Sequence, residues 1–383
     1  MINLLKIACG AERSRSKNCE LKITRQLSLI VLIAITLIAT LTPNASIASS
    51  QVNTTKSSTA DWDQGTNNNL NTTSDEMKMM PNPRTAWYQT GGTWNYRKKI
   101  VIDHTKVPNT DQTDFPVLIN LTTDSDLASK AQANGNDILI TSDDQTTKLS
   151  HEIESYTSAN GALVLWVKIP TLSRTYDTTI FMYYGNASAT NQQNATGVWS
   201  NGYAGVWHMG DAGPTTVLDS TSNSHTGTAN AGVTFGATGK VANGLTFTNT
   251  GGVQTAWILA GSAQLDLSIY VNQAETTSNR VIFVGGNSRE NSIFLENGNV
   301  CGMMIIGGSA YQITIASQTT GSWKRYDLTY DGSTLAGFVN GVQTNSASVT
   351  GAMTNSDYIG VGKSSGYFNG IAMSVDNPNI SFT

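Results

Sequence analysis

The stretch from Trp323 to Val342 restricts the fold more than any other part of this chain. In Trp323-Lys-Arg-Tyr-Asp-Leu-Thr-Tyr330, the residues Tyr326, Leu328 and Tyr330 fall at every second position. That is the period of a strand with one buried face. Asp331-Gly332 separates this run from Leu335–Val339, and Asn340-Gly341 separates that run from Val342. Both dipeptides accept the positive φ of a tight hairpin turn, so the three runs predict an antiparallel meander.

The same logic extends over most of the chain. In Trp94–Asp103, alternation puts Tyr96, Lys98, Ile100 and Ile102 on one face. Phe115, Val117, Ile119 and Leu121 alternate likewise, with Pro116 marking an edge strand or a strand start. Further strands are expected at Asp137–Thr141, Leu149–Tyr156, Leu163–Ile169 and Thr178–Tyr184, and one short helix at Ser125–Gln132. The second half adds Gly244–Phe247, Leu265–Val271, Val281–Val284, Ser292–Leu295, Val300–Ile306, Ala310–Ile315 and Tyr358–Val361. Short strands at this spacing predict an all-β chain of two β-sandwich domains, the C-terminal one a two-sheet jelly roll. The boundary falls at Gly197-Val-Trp-Ser-Asn-Gly-Tyr-Ala-Gly-Val-Trp-His-Met209, giving domains at 87–196 and 197–383.

What precedes Trp87 is of another kind. Arg13, Arg15, Lys17, Lys22 and Arg25 lead into an uncharged run from Leu27 to Leu41, and small residues follow at Ala45-Ser-Ile-Ala48. This predicts a secretory signal peptide over 1–48, cut after Ala48, with an uncleaved N-terminal anchor as the alternative. The apolar run is shorter than the roughly 20 residues of a spanning helix, so no membrane span is expected after cleavage. Residues 49–86, rich in Thr, Ser, Asn and Asp, read as a disordered polar linker. Cys9 and Cys19 leave with the leader, and Cys301 is then a lone, buried thiol on a strand. Residues 49–383 hold 17 basic against 25 acidic side chains, a balance of −8 that argues against nucleic acid as a partner.

Two family resemblances cover the chain from Trp87 onward. Trp94-Asn-Tyr-Arg-Lys-Lys-Ile100, Asp114-Phe-Pro-Val117, Asn134-Gly-Asn-Asp-Ile138, His151-Glu-Ile-Glu-Ser-Tyr156, Leu165-Trp-Val-Lys-Ile-Pro170 and Met182-Tyr-Tyr-Gly-Asn186 resemble, in that order, an exported domain-of-unknown-function family that commonly precedes a lectin-like module. Gly205-Val-Trp-His-Met209, Asp219-Ser-Thr221, Gly239-Lys240, Tyr330-Asp-Gly-Ser333, Val339-Asn-Gly341, Ile359-Gly360 and Tyr367-Phe-Asn-Gly370 are similar to the concanavalin A-like lectin/glucanase superfamily in its laminin-G-like form. That resemblance implies a jelly roll that binds glycans or proteins, in some members through calcium. The chain departs from the pattern where the family carries an Asp-Glu pair, having Met373 and Ser374, and at Phe247-Thr-Asn249 in place of Phe-Asp-Gly.

The candidate site residues follow from these loops. No cofactor is required, and calcium is the ion the loop chemistry admits, with Asp219, Asn223, Asp211 and Asp376 as its oxygen donors. Asp219-Ser-Thr-Ser-Asn223 equally makes an ordinary Asx or Ser/Thr turn. Trp257, after Gly251-Gly252, is the tryptophan best placed to be an exposed sugar platform. His208, between Trp207 and Met209, is expected in the core or in strand pairing. No Glu-x-Asp-x-x-Glu run of the superfamily's hydrolases occurs in 197–383. Glu152 and Glu154 share a strand face, which is expected to be solvated with Ile153 turned inward. The sequence thus predicts a non-enzymatic, secreted or cell-surface protein whose partner is a glycan or a cell-surface protein. The alternative is a structural subunit that self-associates through strand edges, and glycoside hydrolysis stands third.

Overall fold

The computed structural model describes residues 87–108, 110–247, 251–258, 263–274, 280–285, 290–354, 358–362 and 373–381. The leader and the polar linker predicted before Trp87 lie outside the described residues. Among the described residues, no helix is long and apolar enough to cross a membrane.

The chain is all-β. Its first sandwich pairs a four-stranded sheet, in the order Tyr96–Ile102, Thr178–Tyr184, Leu139–Ser142 and Lys148–Leu149, with a three-stranded sheet in the order Gln112–Leu121, Ala162–Leu172 and His151–Thr157. All pairings are antiparallel. Gln112–Leu121 is an edge strand, which is why Pro116 costs no ladder hydrogen bond there. Ile100, Ile102, Val117, Ile119, Leu163, Leu165, Val167 and Met182 fill the space between the sheets. Burying each such aliphatic side chain is worth about 1.5–3 kcal/mol.

The predicted helix forms at Ser125–Lys130, where the Asp124 carboxylate accepts from the amides of Asp126 and Leu127 as its N-cap. It ends two residues short of the expectation because the Gln132 amide donates instead to Asp137 Oδ1 at 2.8 Å. Asp137 is likewise drawn out of the predicted strand, since its Oδ2 accepts from the amides of Gly185 and Asn186.

The second sandwich has two larger sheets. One runs Ser309–Ser317, Asn299–Ile306, Ser292–Glu296, Arg280–Gly285, Tyr358–Val361, Val253–Ile258, Gly227–Ala229 and Thr216–Val217. The other runs Val233–Thr238, Asn243–Phe247, Met373–Ser381, Leu265–Gln273, Trp323–Tyr330, Thr334–Val339 and Val342–Ser348, with Tyr203–Val206 added beside Met373–Ser381. The last three strands of that path are the predicted meander. Its turns carry φ of +94° at Gly332, +52° at Asn340 and +80° at Gly341, the left-handed values that these dipeptides tolerate. Tyr326, Leu328 and Tyr330 face inward and are buried with Trp207, Phe247 and Met304. Cys301 is buried on its strand and packs with Phe294 and Met303.

The joint between the sandwiches is a packed interface. Leu118, Val164 and Trp166, on the outer side of the three-stranded sheet, cluster with Val198, Trp199, Val206 and Val241. The solvated outer face expected for Glu152 and Glu154 is therefore covered by the opening segment of the second sandwich.

Candidate functional site

Under that covered face lies a buried polar cluster. Glu152 and Glu154 come from the strand His151–Thr157, and the residue between them, Ile153, packs into the first core as expected. The pairing register steps from Ile153–Leu165 to Ser155–Val164, so Glu154 is the extra residue of a β-bulge. A bulge re-aims the side chains around it. Here it turns Tyr156 into the core and leaves both carboxylates facing the second sandwich.

His208 enters from that side, two residues beyond Val206 at the end of the strand Tyr203–Val206. Its Nε2 lies 3.0 Å from Glu152 Oε2 and its Nδ1 lies 3.3 Å from Glu154 Oε2, so both ring nitrogens meet carboxylates. The indole N–H of Trp199 donates to Glu152 Oε2 and that of Trp166 to Glu154 Oε2, each at 2.6 Å. The Ser220 hydroxyl donates to Glu152 Oε1 at 2.6 Å. Trp166 also stacks on the imidazole with ring centroids 6.0 Å apart.

The side chains of His208, Glu152 and Glu154 are only 10%, 12% and 2% exposed. Burial alone would push the His208 pKa down, but the two glutamates outweigh it and hold it well above the ordinary histidine value. Burial would raise Glu152, yet the His208 charge and the hydrogen bonds from His208, Ser220 and Trp199 bring it below the usual carboxylate range. The arrangement is thus an imidazolium clamped between two carboxylates. Chemically it can hold the two sandwiches together. His208 is buried, as expected of a core histidine, but its partners are the glutamates of the other sandwich.

The predicted calcium donors are placed as follows. Asp219 Oδ1 accepts from the amides of Val206 and Thr221, both at 3.0 Å; Oδ2 accepts from the His225 amide at 2.8 Å and the Thr221 hydroxyl at 2.9 Å. All four acceptor positions serve the turn that carries Ser220 to Glu152. Asn223 sits in the same turn and donates its amide to Ala204 O at 3.1 Å. Asp211 accepts from the Leu218 amide at 3.3 Å, and burial raises its pKa. Asp376 pairs by backbone with Tyr270, and Trp257 lies on Val253–Ile258, but both side chains fall outside the described residues. Among the described residues, the one group of three His, Cys, Asp or Glu side chains with donor atoms within 4.8 Å of one another is Asp103, His104 and Asp177. There His104 Nδ1 already pairs with Asp177 Oδ1 at 2.7 Å on the open surface.

A second polar set escaped the sequence reading. On Leu265–Gln273, Asp266 and Ser268 alternate with the buried Leu265, Leu267 and Ile269. Ser268 pairs with Asp327, and Tyr270 with Arg325, across to Trp323–Tyr330. Arg325 Nε donates to Asp327 at 2.9 Å, while Asp266 Oδ1 and Ser268 Oγ are buried without a hydrogen bond. Burial, with the nearby Asp327 charge adding to it, pushes the Asp266 carboxyl up to about 7 against the pull of Arg325.

Residues 134–228 match the model of a domain of unknown function, DUF2341. That span straddles the joint and takes in Glu152, Glu154, Trp166, Trp199, His208 and Ser220, so the matched residues include both sides of the clamp. No curated protein matches the sequence. Among solved structures, the chain is similar to the binding domain of Paraclostridial mosquitocidal protein 1, at 11% identity and a TM-score of 0.39, covering 48% of this chain and 49% of that one. It is similar to the botulinum neurotoxin type G receptor-binding domain at 12% identity and a TM-score of 0.37, covering 47% and 48%. Domain 4 of a Geobacillus stearothermophilus extracellular arabinanase, in complex with arabinotriose, is matched at 14% identity and a TM-score of 0.34, covering 47% and 92%. The match spans about half the length of the first two of these chains.

Proposed function

We propose that this chain is an exported, non-catalytic binding protein, in which a concanavalin A-like second sandwich takes a glycan or a cell-surface protein and the first sandwich holds it in a fixed orientation. The observation that carries this reading is the use made of Glu152 and Glu154. A retaining hydrolase sets two carboxylates about 5–5.5 Å apart across an accessible scissile bond. These two instead share one buried imidazolium and accept hydrogen bonds from Trp166, Trp199 and Ser220. Their chemistry is spent on fixing the second sandwich in place. The basic, apolar and small-residue order of 1–48 supports export, and the segments from Gly205-Val-Trp-His-Met209 to Val339-Asn-Gly341 support the lectin-like assignment.

One observation favours a hydrolytic second reading. Asp266 is buried near the ion-paired Asp327 with Oδ1 making no hydrogen bond, and burial with the Asp327 charge pushes its carboxyl toward the protonated form that a general acid needs.

A glycan array probed with the full chain, first with calcium and then with chelator, tests the proposal. Selective binding is expected. Its loss on chelation would place a cation in the site, and persistence would make the site metal-free. Absence of binding to every glycan, together with concentration-dependent self-association in sedimentation, would overturn it in favour of a structural subunit.

A further inference from the structure

The first sandwich contains a buried ammonium–carboxylate contact that the joint does not use. Lys98 lies on Tyr96–Ile102 with its side chain 4% exposed, and its Nζ touches Oδ2 of Asp124, whose side chain is 3% exposed. Asp126, 7% exposed, brings Oδ2 to 3.4 Å from the same nitrogen, and that oxygen is buried with no hydrogen bond. Lys130 Nζ holds the other Asp126 oxygen at 2.5 Å. Tyr184, stacked on Tyr96, closes the apolar side, with its ring centroid 5.9 Å from Lys98 Nζ.

We propose that Lys98 and Asp124 condense spontaneously into an intramolecular isopeptide bond, with Asp126 relaying the protons. The reactants are an amine and a carboxyl group already in contact through Lys98 Nζ and Asp124 Oδ2, which removes the entropic cost of bringing them together. Asp124 Oδ1 accepts from the amides of Asp126 and Leu127 at 3.0 and 2.9 Å. Two fixed N–H donors on that oxygen are what a tetrahedral oxyanion needs. The product carbonyl oxygen keeps both hydrogen bonds, so the cap of the helix Ser125–Lys130 survives the reaction.

The steps balance without a cofactor. Asp126 Oδ2 takes one proton from the Lys98 ammonium and passes it to Asp124 Oδ2, leaving a neutral amine beside a neutral carboxyl. The amine lone pair attacks Asp124 Cγ, and the displaced electron pair rests on Oδ1. Asp126 then moves a second proton from the nitrogen to Oδ2, the Cγ–Oδ2 bond breaks, and one water leaves. The amide nitrogen retains the third proton, and Asp126 returns to its carboxylate. Two buried charges disappear, which removes the desolvation cost that an intact pair would carry. The bond would staple the first strand of the sandwich to its helix in a chain whose cysteine among the described residues, Cys301, forms no disulfide.

Mass spectrometry of the denatured full chain after trypsin digestion tests this. The expected result is a branched peptide joining the Lys98 and Asp124 segments, lighter by one water than the sum of its parts, with no cleavage after Lys98. Lys98→Arg and Asp126→Asn should both give linear peptides of unaltered mass, and Asp126→Asn keeps both reacting residues in place. Linear Lys98 and Asp124 peptides from the folded wild-type chain would overturn the proposal, whatever the variants do. A branched peptide persisting in Asp126→Asn would overturn the relay.

Discussion

His208→Ala is the substitution that most sharply separates a buried clamp from a surface ion pair. It removes the cation that bridges Glu152 and Glu154, whose side chains are 12% and 2% exposed, and strands both carboxylates under the second sandwich. Breaking a buried pair from one side costs about 3–5 kcal/mol. An exposed pair costs about 1 kcal/mol or less. With a urea slope of about 2 kcal/mol per M, the unfolding midpoint should fall by about 2 M. Adding Glu152→Gln and Glu154→Gln to His208→Ala should restore more than half of the loss, because the neutral amides carry no stranded charge and still accept from the two indoles.

The pH profile has a definite sign. The folded His208 pKa lies above its unfolded value, so its contribution is fully present below the unfolded value and is lost as pH rises through the folded one. The folded Glu152 pKa lies below its unfolded value, so its contribution is present above the unfolded value and is lost as pH falls through the folded one. Wild-type stability should therefore sag on both flanks, and His208→Ala should flatten the alkaline flank. A loss below about 1 kcal/mol, or a triple variant no more stable than the single one, would refute the clamp.

Two further substitutions probe the first sandwich. His151 is fully buried between the carbonyls of Leu149 and Ile138, and burial lowers its pKa to about 4. The unfolded chain binds the proton first, so stability should fall by about 3 kcal/mol as pH drops from 6.5 to 4; His151→Gln, followed by urea midpoints across that range, should remove the slope, and an unchanged slope would exclude this histidine. Gly161 has φ of +68°, and an added Cβ would lie 1.9 Å from the Asp124 carbonyl oxygen. Gly161→Ala should therefore lower the melting temperature by a shift worth about 2 kcal/mol or more, and an unchanged melt would show that the hairpin yields at little cost.

The strands were legible because alternation and turn dipeptides are local. Tyr326, Leu328, Tyr330 and the two Xaa-Gly turns specify the meander with no knowledge of what packs on it. The clamp was not legible for a physical reason: period-two spacing says that Glu152 and Glu154 share a face, but not whether another module covers that face. The bulge at Glu154 also breaks the period that the prediction relied on. A signal was nonetheless present. Val164 and Trp166 alternate with the core-facing Leu163, Leu165 and Val167, making a run that is apolar on both faces, as expected of a strand buried on both sides. The Asp266 and Asp327 set was missed because its partners are brought together across strands more than fifty residues apart in sequence. For Asp219, the Asx turn and the calcium loop use the same residues, and the structure turns all four acceptor positions of its carboxylate toward backbone amides and the Thr221 hydroxyl.

Binding and turnover measured together, on the glycan that the full chain selects from an array, address the functional proposal most directly. Saturable binding with no reducing ends above a protein-free control is the predicted result. Reducing ends that accumulate in proportion to protein and time, and that vanish in Asp266→Asn, would contradict it and make this sandwich a hydrolase.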